Sequence, residues 1–516
     1  LLNRMFGFAL WDVNNEKLFI ARDRLGIKQI YYAEDGERFV FGSEIKTILA
    51  MPGINREINY EAICDFFSLQ YIPAPRTAFR CIKKLPPACN LTIDYKGKVI
   101  KKYWDLQYDE NGVSDAEAVD FIDQELQRAV RYQMISDVPL GAYLSGGIDS
   151  SLLVAMMAQA SDRPVETFSI LWDQGGEAFD ERTYSRFVVE KFKTNHHEFL
   201  VKPQVEEIMD AIVQSFDEPF ADDSAVPNYY IAHETRKHVT VALSGLGGDE
   251  MSAGYERYLG MRLLRYYRYL PAIMRREIIR IVNRIPDPDS GSLWVERIKR
   301  FSMISDLPFA RSYYAISSKL NPNEKPMLFT AEALEKIGND YDTGAIFDHL
   351  SGIVTHAHEL NQMLFIDMNT YMVDQLLVLS DRMSMAHSLE LRVPYLDHHL
   401  VESFARVHPT MKLRGPIKKY LLKKVAERYF PKGFIYRKKM GFSSPMVVWL
   451  RGDLKPYMLA LLDKKHIAKT GILNPESVQG YVRMHLERRR NYDMLIWSIM
   501  MFMLWYDSYI DKIYNH

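Results

Sequence analysis

The stretch Val138 to Met157, VPLGAYLSGGIDSSLLVAMM, constrains this chain more than any other. A run with the apolar density of a buried strand, Val138 to Leu144, breaks into Ser145-Gly146-Gly147-Ile148-Asp149-Ser150-Ser151, and an apolar helix pattern begins at Leu152. Strand, glycine loop and helix in that order make a phosphate cradle. The two glycines permit torsions closed to other residues, so successive N–H groups can point at one anion. Ser145, Ser150 and Ser151 add hydroxyl donors, and the helix turns its positive N-terminus to the same spot. Asp149 would repel a phosphate, so its fitting partner is a divalent cation shared between carboxylate and phosphates. The Gly-Lys-Ser/Thr ending of loops that move a γ-phosphate occurs nowhere in the chain, which disfavours that transfer.

The segment from Ala116 alternates helix and strand around this loop. The patterns predict strands at Glu166 to Leu171, His197 to Val201 and Val239 to Leu243, and helices at Glu181 to Lys191, Val205 to Ser215 and Val226 to Lys237. Strands separated by helices argue for an α/β fold with a doubly wound parallel sheet, in which ligands sit at the carboxyl ends of strands where strand order reverses. A second glycine loop, Ser244-Gly245-Leu246-Gly247-Gly248-Asp249-Glu250, followed by Gly254-Tyr255, falls at such an end. A bare GGDE is an ordinary turn with solvated acids. Two such loops in one sheet are more, because Asp249 and Glu250 can then share a magnesium with Asp149.

Upstream, Met5 to Ala50 reads as short alternating strands with the hairpin Ile30-Tyr31-Tyr32, Asp35-Gly36, Phe39-Val40-Phe41, hence an antiparallel sheet. Ile58 to Leu69 is a helix, Tyr71 to Pro75 a proline-stiffened turn, and Gln107 to Ser114 a linker. Past Tyr258 the pattern is almost wholly helical. The 516 residues exceed one core, and 65 basic against 66 acidic residues give no sign of a nucleic-acid partner. Cys64, Cys81 and Cys89 have neither disulfide-frame nor zinc spacing, which fits a reducing cytoplasm. The longest apolar run, Met494 to Tyr506, is too short to span a bilayer and reads as a buried helix, so no membrane is expected. Leu1 is no initiator, and the opening residues already sit in a strand pattern, as in a trimmed chain.

SGGIDSS resembles the pyrophosphate loop of the N-type ATP pyrophosphatases, and with its flanks the chain resembles the glutamine-hydrolysing asparagine synthetase family. GFALWD, ARDRLGIKQIYY and FGSEIKTIL resemble the later half of that family's N-terminal-nucleophile glutaminase domain, with Gln29 where proline is usual. The family's nucleophilic cysteine and the arginine and Asn-Gly-Glu segments that hold glutamine have no counterpart in these residues. YMVDQLLVLSDRMSMAHSLELRVPYLD, Tyr371 to Asp397, resembles the helical lining of the acceptor pocket, and RKKMGF places Lys439 where the family has a lysine on the α-phosphate. At Leu246 the family usually carries an acid.

The resemblance implies a partial glutaminase domain over residues 1–107 and a synthetase domain of ATP pyrophosphatase type with a helical extension over residues 116–516. Its substrates would be ATP, aspartate or another carboxylate, and ammonia from glutamine, with Mg2+ as cofactor and a homodimer as the assembly. Leu144, Ser145, Gly146, Gly147, Asp149, Ser150, Ser151, Ile170, Ser244 and Gly245 would hold ATP and pyrophosphate. Asp149 and Asp249 would hold the metal, and Lys439 would stabilise the transition state. Leu246, Glu250, Tyr255, Asp374, Asp381 and Arg382 are the expected acceptor pocket. Leu246 keeps two alternatives open, amidation or ring closure on another carboxylate such as a cell-envelope sugar or peptide, and a silent nucleotide-binding scaffold is a third.

Overall fold

The computed structural model describes residues 2–3, 5–36, 38–110, 112–172, 182–201, 204–284, 301, 304–320, 324–437 and 444–511. Alternating strands at the N-terminus pair as two antiparallel sheets instead of the one expected. Gly7–Asp12 (β1), Lys17–Arg22 (β2), Cys89–Asp94 (β6) and Gly97–Lys102 (β7) form a four-stranded sheet in that order. Arg38–Gly42 (β4), Tyr31–Asp35 (β3) and Ile82–Lys84 (β5) form a three-stranded one. The helix Tyr60–Leu69 lies between β4 and β5 in sequence; the side chain of Asn59 caps its start by accepting from the Ala62 N–H at 3.2 Å.

The second region is built on Leu140–Tyr143 (β8), Glu166–Trp172 (β9), Asn195–Val201 (β10), Val241–Leu243 (β11) and Glu390–Arg392 (β12). These make an all-parallel sheet in the order β10-β9-β8-β11-β12. Chain order runs outward from β8 to β10 on one side and resumes at β11 on the other, so strand order reverses between β8 and β11. Gly141 leaves the face of β8 open to Phe168: a Cβ there would sit 2.6 Å from that ring. Both faces are covered, Ala142, Leu144 and Leu243 belonging to one buried cluster and Phe168, Ala242 and Leu391 to another. The helix Ile148–Ala160 is apolar on nearly every side because it is enclosed between the sheet and the helices Asp115–Gln133 and Arg182–Phe192.

β12 is a strand inside Tyr371 to Asp397, the stretch expected to be helical lining. Glu390, Leu391 and Arg392 extend the sheet at β11, in register with Val241, Ala242 and Leu243. Further on, Asp493–Tyr506 is a helix whose residues from Leu495 to Trp505 are all buried. Among the described residues no helix is long and apolar enough to cross a membrane.

Candidate active site

The loops after β8 and β11 face one another across the point of strand reversal, where an open parallel sheet leaves a crevice. Here that crevice is a cavity of about 520 Å3. Gly146 has φ +76°, and a Cβ on it would meet the backbone N of Ser185 at 2.9 Å, so only glycine fits. Ser145 and Ser150 hold the loop: their hydroxyls are 3.1 Å apart, and the Gly147 N–H donates to Ser145 Oγ at 3.3 Å. The second loop presses against the start of the helix Ile148–Ala160. A Cβ on Gly248 would lie 2.6 Å from the Asp149 carboxylate, and one on Gly245 would lie 2.9 Å from the Ser150 backbone N. The glycines of one loop therefore make room for the acid of the other.

Asp149 and Asp249 share one counter-ion. Lys419 Nζ bonds Asp149 Oδ2 and lies 2.6 Å from Asp249 Oδ1. Asp149 Oδ1 is buried without a hydrogen-bond partner, as is Ser151 Oγ. Unpaired buried oxygens are costly in a native protein and mark a place where a ligand or ion supplies the missing partner. Tyr395 O–H donates to the Asp149 carbonyl at 3.0 Å and fixes the turn from behind. Glu250 is buried against Asp249, and burial, then that neighbouring charge, push its carboxyl up to about 7; Tyr255 O–H donates to it. Among the described residues no cluster of three or more His, Cys, Asp or Glu side chains could hold a metal alone.

Leu144, Ser145, Gly147, Asp149, Ser150, Ile170, Ser244, Gly245, Leu246, Asp249 and Tyr255 all line the cavity. Gly146 and Ser151 stand just behind the lining, and the Gly146 carbonyl accepts from Arg437 Nη2 at 2.5 Å. Lys439 lies outside the described residues. Three expected acceptor residues are placed elsewhere, in contact with loops of the N-terminal region. Asp374 Oδ2 accepts the Ala74 N–H at 2.8 Å, Asp381 pairs with Lys28 at 2.7 Å, and Arg382 pairs with Glu44 at 3.0 Å. The three turn to these partners and not to the cavity, while their neighbours Tyr371, Gln375 and Ser380 line it.

An asparagine synthase family model matches residues 122–507, and a glutamine amidotransferase domain model matches residues 1–104. The chain belongs to the asparagine synthase family. Among its relatives, asparagine synthetase [glutamine-hydrolyzing] 1 of Bacillus subtilis (strain 168) is 29% identical over 517 residues, 99% of this chain and 79% of the relative. Asparagine synthetase [glutamine-hydrolyzing] 3 of the same organism is 30% identical over 493 residues, 90% of this chain and 73% of that one. Amidase chry2 of Gibberella zeae is 25% identical over 516 residues, 92% of this chain and 74% of it.

Sequence reading of this asparagine synthase family member passed over several site residues. Lys419 was one lysine in a Lys418-Lys419 pair, with nothing local to tie it to Asp149, 270 positions away. Asp222, Asp223, Arg257, Asp367 and Gln375 sit in patterns that read as helix or turn, yet all line the cavity. Arg257 packs against the rings of Tyr255 and Tyr371, 4.6 and 4.4 Å from their centroids, where the two rings meet edge to face, and pairs with Asp367 at 2.9 Å. Only the short spacing from Gly254-Tyr255 to Arg257 could have suggested it.

Proposed function

We propose that the chain is an ATP-dependent amide ligase of the asparagine synthetase type. It adenylates a carboxylate, with the aspartate side chain as the first candidate, and passes ammonia drawn from glutamine to the acyl carbon, giving asparagine, AMP and pyrophosphate. The observation that carries this reading is the meeting of two glycine loops at the strand reversal, with Asp149 and Asp249 facing one lysine and Asp149 Oδ1 lacking a partner.

Ser145, Gly146, Gly147, Ser150 and Ser151 then hold the pyrophosphate, through backbone N–H groups and hydroxyls at the helix start. Leu144, Ile170, Ser244 and Gly245 hold the nucleoside. The donor set suits Mg2+, which takes one or two carboxylates from protein and the rest from phosphate and water, so Asp149 and Asp249 would hold it. When bound, the ion neutralises phosphate charge. An oxygen of the acceptor carboxylate attacks the α-phosphorus and pyrophosphate leaves; ammonia then attacks the acyl carbon and AMP leaves. Lys439, assigned from the RKKMGF motif alone, would offset charge building at phosphorus.

A second reading keeps the adenylation and changes the acceptor. Leu246 lines the cavity with an alkyl side chain where an acid would otherwise stand, which suits a carboxylate substrate other than aspartate. The test is pyrophosphate release from magnesium-ATP and ammonium with aspartate, other amino-acid carboxylates, a uronic acid and no acceptor. Release that needs aspartate and yields asparagine supports the first reading, and release with another carboxylate the second. Failure to bind ATP would sink both.

A further inference from the structure

We propose that Lys84, on β5 of the N-terminal three-stranded sheet, positions the wall of the cavity that faces away from the glycine loops. Its side chain is 1% exposed, and Nζ lies 2.7 Å from Glu218 Oε1 and 3.7 Å from Asp374 Oδ1 while donating to the Ile72 carbonyl. Neither partner lines the cavity, but each begins a short arm that does. From Glu218 the chain runs through Pro219, Phe220 and Ala221 to Asp222 and Asp223. Along the way Phe220 stacks on Phe216 with centroids 4.1 Å apart, and the Ala221 N–H donates to the Gln70 carbonyl at 3.0 Å. From Asp374 the next residue is Gln375. The arms meet: Gln375 Nε2 donates to Asp222 Oδ2 at 2.6 Å.

The second arm has the geometry for this. Tyr371–Leu376 is a π-helix, a widened turn of the kind that re-aims side chains near functional sites. Asp374 reaches Ala74 and Lys84 on the N-terminal side, while Tyr371 and Gln375 line the cavity. One buried ammonium thus holds two carboxylates of different segments, and their sequence neighbours close a ring at Asp222. Asp222 accepts otherwise from the Ser224 N–H at 3.0 Å and its hydroxyl, so the lysine-held arm and Gln375 set where its carboxylate stands. Removing the lysine leaves buried acids uncompensated, and the arms must shift to find water or other partners.

The inference rests on the reading above in that this wall faces the acceptor. Its first test does not. Hydrogen–deuterium exchange on the full chain would compare the unmodified protein with Lys84→Met and with Lys84→Met/Glu218→Met. The expected result for Lys84→Met is faster exchange in residues 217–223 and 371–376 with residues 144–151 unchanged. Faster exchange confined to residues 72–84 would overturn the proposal. Kinetics then separate positioning from folding, using whichever carboxylate supports pyrophosphate release. Lys84→Met should raise the KM for that carboxylate about tenfold to a hundredfold, the scale of an ångström-size misplacement. The KM for ATP should stay within about twofold, since no phosphate contact is touched. The double variant, which removes the Glu218 carboxylate along with its counter-charge and leaves only Asp374 without one, should recover part of the lost thermal stability and keep the raised KM. Recovery of stability and KM together would reduce Lys84 to a structural role. A lack of pyrophosphate release by the unmodified chain counts against the ligase reading alone, and the exchange pattern still decides the role of Lys84.

Discussion

The two sides of the cavity are made in opposite ways. On the side of the glycine loops, polar groups are held ready and left unsatisfied: Asp149 Oδ1 and Ser151 Oγ are buried without partners, and two carboxylates share one lysine. On the far side the networks around Asp367 and Asp222 are closed. Asp367 Oδ2 accepts from Arg257, Tyr258 and Tyr313, Arg257 packs against two tyrosine rings, and Asp222 is filled by Ser224 and Gln375. A saturated network fixes a shape, whereas an unsatisfied one waits for charge. Substitutions on the loop side should therefore cost turnover with little cost in stability, and those on the far side should cost stability, and acceptor affinity where they move Asp222, with little cost in turnover.

The sharpest test of that contrast is Asp149→Asn. Loss of the cation-holding carboxylate should lower acceptor-dependent pyrophosphate release by about a thousandfold, on the scale of removing a preorganised electrostatic contact. The melting temperature should hold or rise, because one of two carboxylates crowding Lys419 is neutralised. A variant that unfolds while the remaining folded fraction turns over normally would break the comparison. Asp367→Asn is the mirror image. It leaves Arg257 in a part-buried site without its anion, and urea denaturation should show a loss of about 3 kcal/mol, typical of breaking a buried pair. ATP affinity, measured by calorimetry under folding conditions, should be unchanged. Gly248→Ala comes next: its Cβ would stand 2.6 Å from the Asp149 carboxylate. A displacement of that acid should reduce turnover by about a hundredfold with the fold retained; normal kinetics in this variant would show that the two loops are not in contact.

The same contrast explains what could be read beforehand. The loops were legible because backbone donors, glycine torsions and a helix start are local properties, written in Ser145 to Ser151 and Ser244 to Glu250. The parallel sheet followed from β–α alternation, and strand ends fell within a few residues of their places: β11 begins at Val241 where Val239 was expected. β12 escaped because three residues at an edge, Glu390 to Arg392, carry no periodic signal of their own and become a strand only by pairing with β11. The far wall escaped for a related reason. Asp374 and Gln375 are adjacent, yet one faces the N-terminal sheet and the other the cavity, a division made by the wide turn Tyr371–Leu376, where regular helical spacing gives no warning. Charge type announces chemistry, but only tertiary contact says which neighbour receives it.

The smallest expected effect probes an acid on the far side that burial and a neighbouring charge keep from ionising normally. Asp223 is buried beside Asp222; burial first and that neighbour second push its carboxyl up to about 7, against the lowering effect of the Ser444 N–H, which donates to it at 3.1 Å. In the unfolded chain the group titrates as an ordinary carboxyl. Between these two values the folded protein keeps a proton that the unfolded chain has released. Its contribution to stability is therefore complete below the ordinary carboxyl range and is lost as pH rises through about 7. One proton bounds the slope at about 1.4 kcal/mol per pH unit. Asp223→Asn, neutral throughout, should flatten the fall of melting temperature between roughly pH 4 and pH 7 without abolishing it, since Glu250, raised to about 7 by burial and Asp249, contributes with the same sign. Parallel slopes for the variant and the unmodified chain would mean that Asp223 is already ionised in the folded protein. The far wall would then hold two adjacent carboxylate charges, as the loop side does, and the contrast between the sides would rest on hydrogen bonding alone.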